Sequence, residues 1–482
     1  MTKKQDILFY VHCFIGFFFM FIFPVLPPFG YITPVGMKIV GAFLGAIYLW
    51  STVNTIWPSI LGMIMIGFSG LMDVKSSLAL GFGDNMTLTV LFAMILFGAI
   101  EEAGIPKYIA RWFLTLKIIN GRPVVMSFIL LYAAYVLSAL IGPLASILFF
   151  WPILYGILDD TGYKIEDAYS KIMVVGIAWG AILGHPALPI KGGHMVIMGA
   201  FQKLMGDISL PFASYTILNI IMSTLIIFVF ALNLKFLFRP DMSRIVAIDV
   251  EYFKKNKLPP MDVSQKVHAV TLLLYIIFAL APSMLPKTWA ITVFFNKLTI
   301  AGITMIFLVV LSLIRVNSKP ILKFQQVAAK YLSWSVFALV AACTAFAATL
   351  TAEGTGISET LVLLLNPILG GQSEFSFAVI IIVLACIGTQ FLNNAVYGTV
   401  LMPIIVAFSE IGGFNPVPIA MMVTLGCFTA VMTPAASPYA AVLHANKERV
   451  NSKDILKYAG PNCAIAIILY GILAYPLGIL LF

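Results

Sequence analysis

Charge is what this sequence has least of. Only 10% of its 482 residues are Asp, Glu, Lys or Arg, against about a quarter in ordinary soluble domains, while 61% are hydrophobic. That imbalance excludes a soluble globular chain and leaves a polytopic helical protein of the lipid bilayer. Cysteine is sparse as well: Cys13, Cys343, Cys386, Cys427 and Cys463 stand singly in apolar segments, at no metal-like spacing, and read as small buried hydrophobes. No short apolar stretch with a small-residue cleavage site opens the chain. Lys3 and Lys4 instead precede an apolar run from Ile7 to Leu26, long enough to span, so the N-terminus is expected to be retained and cytoplasmic.

Acids are missing where bases cluster. Residues 105–122 carry Lys107, Arg111, Lys117 and Arg122, and 315–330 carry Arg315, Lys319, Lys323 and Lys330, with no acid in either. Residues 353–376 and the turn at Glu410 show the reverse, with Glu353, Glu359 and Glu374 and no base. This is the asymmetry of cytoplasmic and external loops, so the net charge of +9 does not point to nucleic acid.

The chain reads as an all-α membrane protein with about 11 transmembrane helices plus two re-entrant helical hairpins. Spans are expected at 7–27, 35–50, 53–69 and 86–104, followed by the basic, amphipathic GIPKYIARWFLTLKIINGR, suited to lie on the cytoplasmic surface. The next apolar stretch carries Gly142-Pro143 near its middle. Proline removes a helix donor there, so the stretch reads as a hairpin that dips in and returns. A segment 168–184 breaks at GHPALPIKGGH and resumes to about Leu204, and 212–238 leads into the most polar stretch, with Arg239, Arg244, Lys254, Lys255 and Lys257. The second half offers spans at 268–286, 298–314 and 331–352, a surface helix at 357–369, a hairpin at 374–411, a broken span at 416–446 and a last span at 459–482.

One pattern occurs twice in this order. Laying FWPILYGILDDTGY beside LMPIIVAFSEIGGF pairs Pro152 with Pro403, Asp159 with Glu410 and Gly162 with Gly413, all 251 residues apart. Glu101 and Gly104 pair with Glu353 and Gly356 at 252, and Pro189 pairs with Pro438 at 249. The first copy's surface helix is basic and the second's acidic, so the copies face opposite sides: inverted-topology repeats, with the site expected at their midplane interface. The expected organisation is scaffold helices at 1–85, a first repeat at 86–205, further scaffold helices and a cytoplasmic loop at 206–330, a second repeat at 331–446, and a C-terminal helix at 447–482 that ends outside.

Surface helix, hairpin and broken helix, twice and in opposite orientation, resembles the divalent anion:sodium symporter family, whose members carry dicarboxylates, citrate and sulfate. WSTVNTIWPSILGMIMIGF is similar to that family's early segment. The resemblance implies a secondary transporter of the cytoplasmic (inner) membrane and not an enzyme. It implies a small anionic substrate, above all a di- or tricarboxylate, coupling to Na⁺ or H⁺, elevator-type alternating access and a homodimer, with no cofactor beyond Na⁺ as a possible co-substrate. Family members place Ser-Asn-Thr at each hairpin tip; the matching positions here are Gly142-Pro143-Leu144 and Asn393-Asn394-Ala395. The resemblance thus implies substrate contacts at Gly142, Pro143, Asn393, Asn394, Ser437 and Pro438, and cation ligands among Ser138, Thr389, Asn394 and Thr433. The second tip keeps its Asn and has Thr389 five residues earlier, whereas the first keeps only Ser138. The second break, TPAASPYAA, keeps a hydroxyl and proline, while in the first Lys191 stands where the family has Asn.

Broken helices suit such chemistry because half-helix N-termini present free N–H groups and about half a positive charge, while half-helix C-termini present carbonyls to a hard cation. For Asn393, Asn394, Thr389, Tyr397 and Thr399 the other reading is hydrogen bonding between packed spans. Lys191 lies in an otherwise uncharged segment between Lys171 and Lys203, at a depth where a lysine costs roughly 2.5–3.5 kcal/mol. Either its ammonium stands in for the first sodium and helps hold an anion, or it snorkels to an interface. His185 and His194 flank it and suit either proton coupling or polar packing. Glu101 and Glu353, on opposite faces by the inversion, form no dyad and read as helix-end residues. A Na⁺/H⁺ or metalloid exchanger is a second reading, which lacks an acid at the breaks. An intramembrane enzyme is a third, and no nucleophile–base or metal constellation is visible for it.

Overall fold

The computed structural model describes residues 3–254, 258–434 and 436–482, with side chains from residue 6 onward. Lys255 and Lys257 of the polar connection and Ala435 of the second break lie outside the described residues. Among the described residues, ten helices are long and apolar enough to cross a membrane, or twelve if two sharply bent pairs each make one span. Among the described residues the only strands are the two-residue pair Arg315–Val316 and Lys319–Pro320, closing the basic loop. The chain is an all-α polytopic membrane protein.

The expected span at 53–69 is shorter than one bilayer. Its helix runs Ile56–Gly67, about 18 Å at 1.5 Å per residue against a hydrocarbon core of about 30 Å. It folds back onto a helix at Val74–Phe82 that hydropathy did not disclose, the Ser77 hydroxyl donating to the Met63 carbonyl at 2.7 Å. A capping signal was present: Asp73 accepts from the Ser76 N–H at 2.6 Å, closing the first turn. Val74–Phe82 leads into Asn85–Glu102 as Phe324–Tyr331 leads into Trp334–Leu350, an offset of 250 between the leading helices. The repeated pattern therefore extends upstream of residue 86.

The paired glycines adopt matching conformations. Gly104 and Gly356 are left-handed at φ 80° and 66°, each turning the chain into its surface helix, Ile105–Leu114 and Ile357–Leu369. Gly162 and Gly413, after the hairpins, are left-handed at 72° and 68°. Both hairpins close in the same way. In the first, Pro123–Ile141 and Pro143–Asp160 meet at Gly142, and Ser146 donates to the Ala134 carbonyl at 2.7 Å. In the second, Glu374–Gly388 and Asn394–Gly412 are crossed by Tyr397, which donates to the Leu384 carbonyl at 3.1 Å, 250 and 251 positions further on.

Each hairpin packs on a broken helix: Ala168–Gly184 resuming as His194–Leu204, and Pro416–Gly426 resuming as Pro438–Ala445. His194–Leu204 is buried from His194 through Phe201 between Trp334–Leu350 and Asn394–Gly412. The basic segments gather on one face. Tyr108 donates to the Pro259 carbonyl, Asn120 accepts from the Val250 N–H, Arg244 donates to the Gly162 carbonyl, and Lys330 lies 3.8 Å from Glu102. On the acidic side, the Tyr31 N–H donates to the Thr360 hydroxyl and the Thr33 hydroxyl to the Gly354 carbonyl, beside the second surface helix.

Candidate transport site

One strut fixes each hairpin to its broken helix, with the donors at repeat-related positions. Ser138 donates to the Ala181 carbonyl and Thr389 to the Cys427 carbonyl, both at 2.5 Å. A hydroxyl that donates keeps its lone pairs, so both oxygens remain potential cation ligands. The second repeat adds a clasp the sequence reading passed over. The Gln390 amide donates to the Thr429 carbonyl at 2.9 Å and accepts from the Val431 and Met432 N–H groups at 3.0 and 3.1 Å, while Thr433 donates to the Gln390 carbonyl. An amide satisfies both donors and acceptors of an unwound segment, which explains a glutamine inside so apolar an arm. Its signal was its place, directly after Thr389.

The half-helix N-termini differ between repeats. In the second, Asn393 accepts from the Ala395 and Val396 N–H groups at 3.1 and 3.3 Å, buried Asn394 accepts from Ala395 at 2.9 Å, and Ser437 accepts from Ala440 at 3.1 Å. Both ends are capped by their own side chains. In the first repeat Gly142 and Gly193 hold the capping positions and offer no side chain. Gly142 sits at φ 94°, ψ 161°, a conformation that favours glycine, and Pro143 starts the returning arm at the one place where a missing N–H costs nothing. The N–H groups of Leu144 and Ala145 fall in the first turn, where a helix supplies no partner.

Those groups border a cavity of about 380 Å³, within the range of roughly 300–1,000 Å³ typical of small-ligand pockets. Gly142, Pro143, His185 and Lys191 line it, with Glu101 on the Asn85–Glu102 helix, Tyr331 and Ser333 on the basic face, and Tyr439 from the second break. Lys191 does not snorkel away. Its ammonium donates to the Leu140 carbonyl at the end of the first hairpin arm and lies 4.1 Å from the centre of the Phe97 ring. A charged hydrogen bond of about 1.5–3 kcal/mol and a desolvated cation–π contact of about 2 kcal/mol together offset the insertion cost. No acid lies within 4 Å of it among the described residues, and Glu101 shares its cavity without touching it.

His185 ties the two breaks together, its ring centre 5.3 Å from those of Phe428 and Tyr439 and 5.6 Å from that of His194. It accepts from the Gly193 N–H at 3.4 Å. His194 donates from Nε2 to the Leu188 carbonyl at 2.9 Å, leaving its buried Nδ1 without a protein partner. The structure thus brings Gly142, Pro143, His185 and Lys191 into one cavity. Ser138, Thr389 and Thr433 stand in the struts and clasp behind it, and Asn393, Asn394, Ser437 and Pro438 at the second repeat's capped ends. The two halves abut where Gly193 faces Ala395 and Phe428. Among the described residues no group of three or more His, Cys, Asp or Glu side chains is arranged to hold a metal ion.

A family model described as a citrate transporter matches residues 45–426. This chain belongs to the citrate transporter family. The sodium-dependent dicarboxylate transporter SdcS of Staphylococcus saprophyticus is 22% identical to it over 430 residues, 84% of this chain and 80% of that protein. The sodium-dependent high-affinity dicarboxylate transporter 2 of Caenorhabditis elegans is 28% identical over 128 residues, 27% of this chain and 23% of the relative. The fold is similar to that in the crystal structure of the Alcanivorax borkumensis YdaH transporter, with a TM-score of 0.57 at 15% identity over 84% of this chain and 87% of that one. The resemblance to divalent anion:sodium symporters is borne out, and this family member is a secondary transporter, not an enzyme.

Proposed function

We propose that the chain carries a di- or tricarboxylate across a cytoplasmic (inner) membrane, driven by Na⁺ or H⁺, and that the first-repeat cavity receives the anion. The observation that carries this reading is the convergence of the Lys191 ammonium with the uncapped first turn at Pro143 on one water-accessible space. Positive potential without a fixed counter-ion in contact is what a carboxylate requires. The relatives' printed activities, sodium-dependent and directed at dicarboxylates, agree with that chemistry. Sodium is assigned to the second repeat, where Thr389, Asn394 and Thr433 supply oxygens beside the carbonyls of an unwound segment.

The positive-inside rule makes the basic face cytoplasmic, with the N-terminus there and the C-terminus outside. Tyr331 and Ser333, which line the cavity from that basic face, support an inward-facing reading. Alternating access moves the hairpins and broken helices of both repeats past a scaffold that includes Asn85–Glu102, Val263–Met284 and Ala290–Leu313. Family resemblance supports a homodimer joined through that scaffold.

Uptake of radiolabelled succinate, citrate and sulfate into proteoliposomes, with Na⁺ and pH gradients imposed separately, tests the reading. Succinate or citrate accumulation is expected. Uptake of sulfate alone removes the carboxylate assignment, and no uptake with unchanged thermal stability on adding each anion removes the anion reading altogether.

A further inference from the structure

The cavity holds one more ionisable group than anion binding needs. Glu101 lines it together with Lys191, on the last turn of Asn85–Glu102. A carboxylate is misplaced there as a helix-end device, because that end of a helix already carries about half a negative charge, and Glu102 adds another. It is misplaced as a substrate ligand as well, since it repels the anion. It suits one partner, a cation that enters and leaves the cavity. Lys191 is that cation, and with Lys330 it is the charge whose field reaches Glu101.

The elements packed around Lys191 bring few competing groups. The first hairpin offers the Leu140 carbonyl, the first broken helix His185 and, one turn on, His194, the second break Tyr439, and the basic face Tyr331 and, beyond it, Lys330 with Glu102. Among these the only carboxylate in the cavity is that of Glu101.

We infer that Lys191 and Glu101 form a proton relay that couples anion transport to H⁺, the lysine taking the place of a transported sodium in the first repeat. The inference rests on the function proposed above. A bound sodium leaves the carrier after delivery, but a lysine cannot, and a bare ammonium carried back through the apolar region is costly. Once the anion departs inward and water takes its place, the Nζ–H bond breaks, the proton crosses that water, and an O–H bond forms on Glu101, turning ammonium and carboxylate into amine and acid. Glu101 then passes the proton to water at the cavity mouth. Lys191 returns neutral with the moving hairpin assembly and takes a new proton outside, where Glu101, on the stationary helix, does not follow. One proton enters with each anion, and the acceptor's fixed place confines release to one side.

Proteoliposomes with the same saturating sodium concentration on both sides, loaded with a pH-sensitive dye, decide the matter with radiolabelled succinate or citrate as probe. Wild-type net uptake is expected to bring protons in with it and to quicken when the outside is acidified. Glu101→Gln is expected to lose about tenfold or more of net uptake and its proton entry, while exchange of external label against internal unlabelled substrate changes by no more than about threefold, because exchange never returns the lysine empty. Glu101→Asp regains part of the proton entry, and Glu102→Gln behaves as wild type. Wild-type uptake without proton entry, or equal loss of exchange and net uptake in Glu101→Gln, overturns the relay while leaving an anion transporter. Absence of exchange in the wild type overturns the transport reading and the relay with it.

Discussion

The two repeats share a frame and differ at their tips. The struts Ser138 to Ala181 and Thr389 to Cys427 match in length, and the cross-hairpin bonds of Ser146 and Tyr397 match in position. Yet Asn393 and Ser437 cap their own helix ends, whereas Gly142 and Gly193 offer no side-chain cap, and the first turn after Gly142 lies open in the cavity that holds the Lys191 ammonium. A frame conserved in geometry tolerates this because the bonds that hold it run from side chain to backbone, so they do not depend on the tip residues. What the difference teaches is a division of labour. The capped repeat has oxygens left over for a cation, and the open repeat has donors left over for an anion.

The most severe challenge to that division is Lys191→Met. It is expected to weaken succinate or citrate binding about 30-fold, the worth of a charged contact near 2 kcal/mol, as measured by competition in uptake or by calorimetry. Unchanged affinity would move the anion out of the first repeat. Next in size is a paired test of the struts. Thr389→Val is expected to raise the sodium concentration for half-maximal uptake about tenfold, while Ser138→Ala, which removes the equivalent hydroxyl, leaves it where it was. Equal shifts in both would restore a two-sodium, symmetric site. Smallest is Asn393→Ala, expected to lower thermal stability by about 1 kcal/mol, as lost caps do, with a smaller effect on substrate affinity than Lys191→Met. If Asn393→Ala is the more damaging to affinity, the capped tip is the one that holds the anion.

Much of this was legible in the residues. Prolines and glycines punctuate apolar sequence where backbone must leave the helix, so hairpins, breaks and their repetition followed from spacing, and lysine and arginine marked one face. The Val74–Phe82 helix was not legible, because nine residues beside a short span produce no hydropathy peak of their own. Glu101 was correctly read as ending a helix, but its meaning depends on Lys191, ninety positions away, and only the folded hairpin brings them to one cavity. Gln390 hid for a related reason: Thr429, Val431, Met432 and Thr433 meet it from a break whose unwound path no periodicity describes. Local signals disclose where a helix stops, not which distant group meets the stopped end.

All five cysteines are buried among apolar side chains. The native chain is therefore nearly silent to water-soluble thiol reagents, and a single cysteine introduced at exposed Leu144, on the cavity rim, would be the one reactive thiol of the protein. Its labelling rate from each side of the membrane, with and without substrate, becomes a direct readout of which way the carrier is facing, with no prior removal of native sulfur.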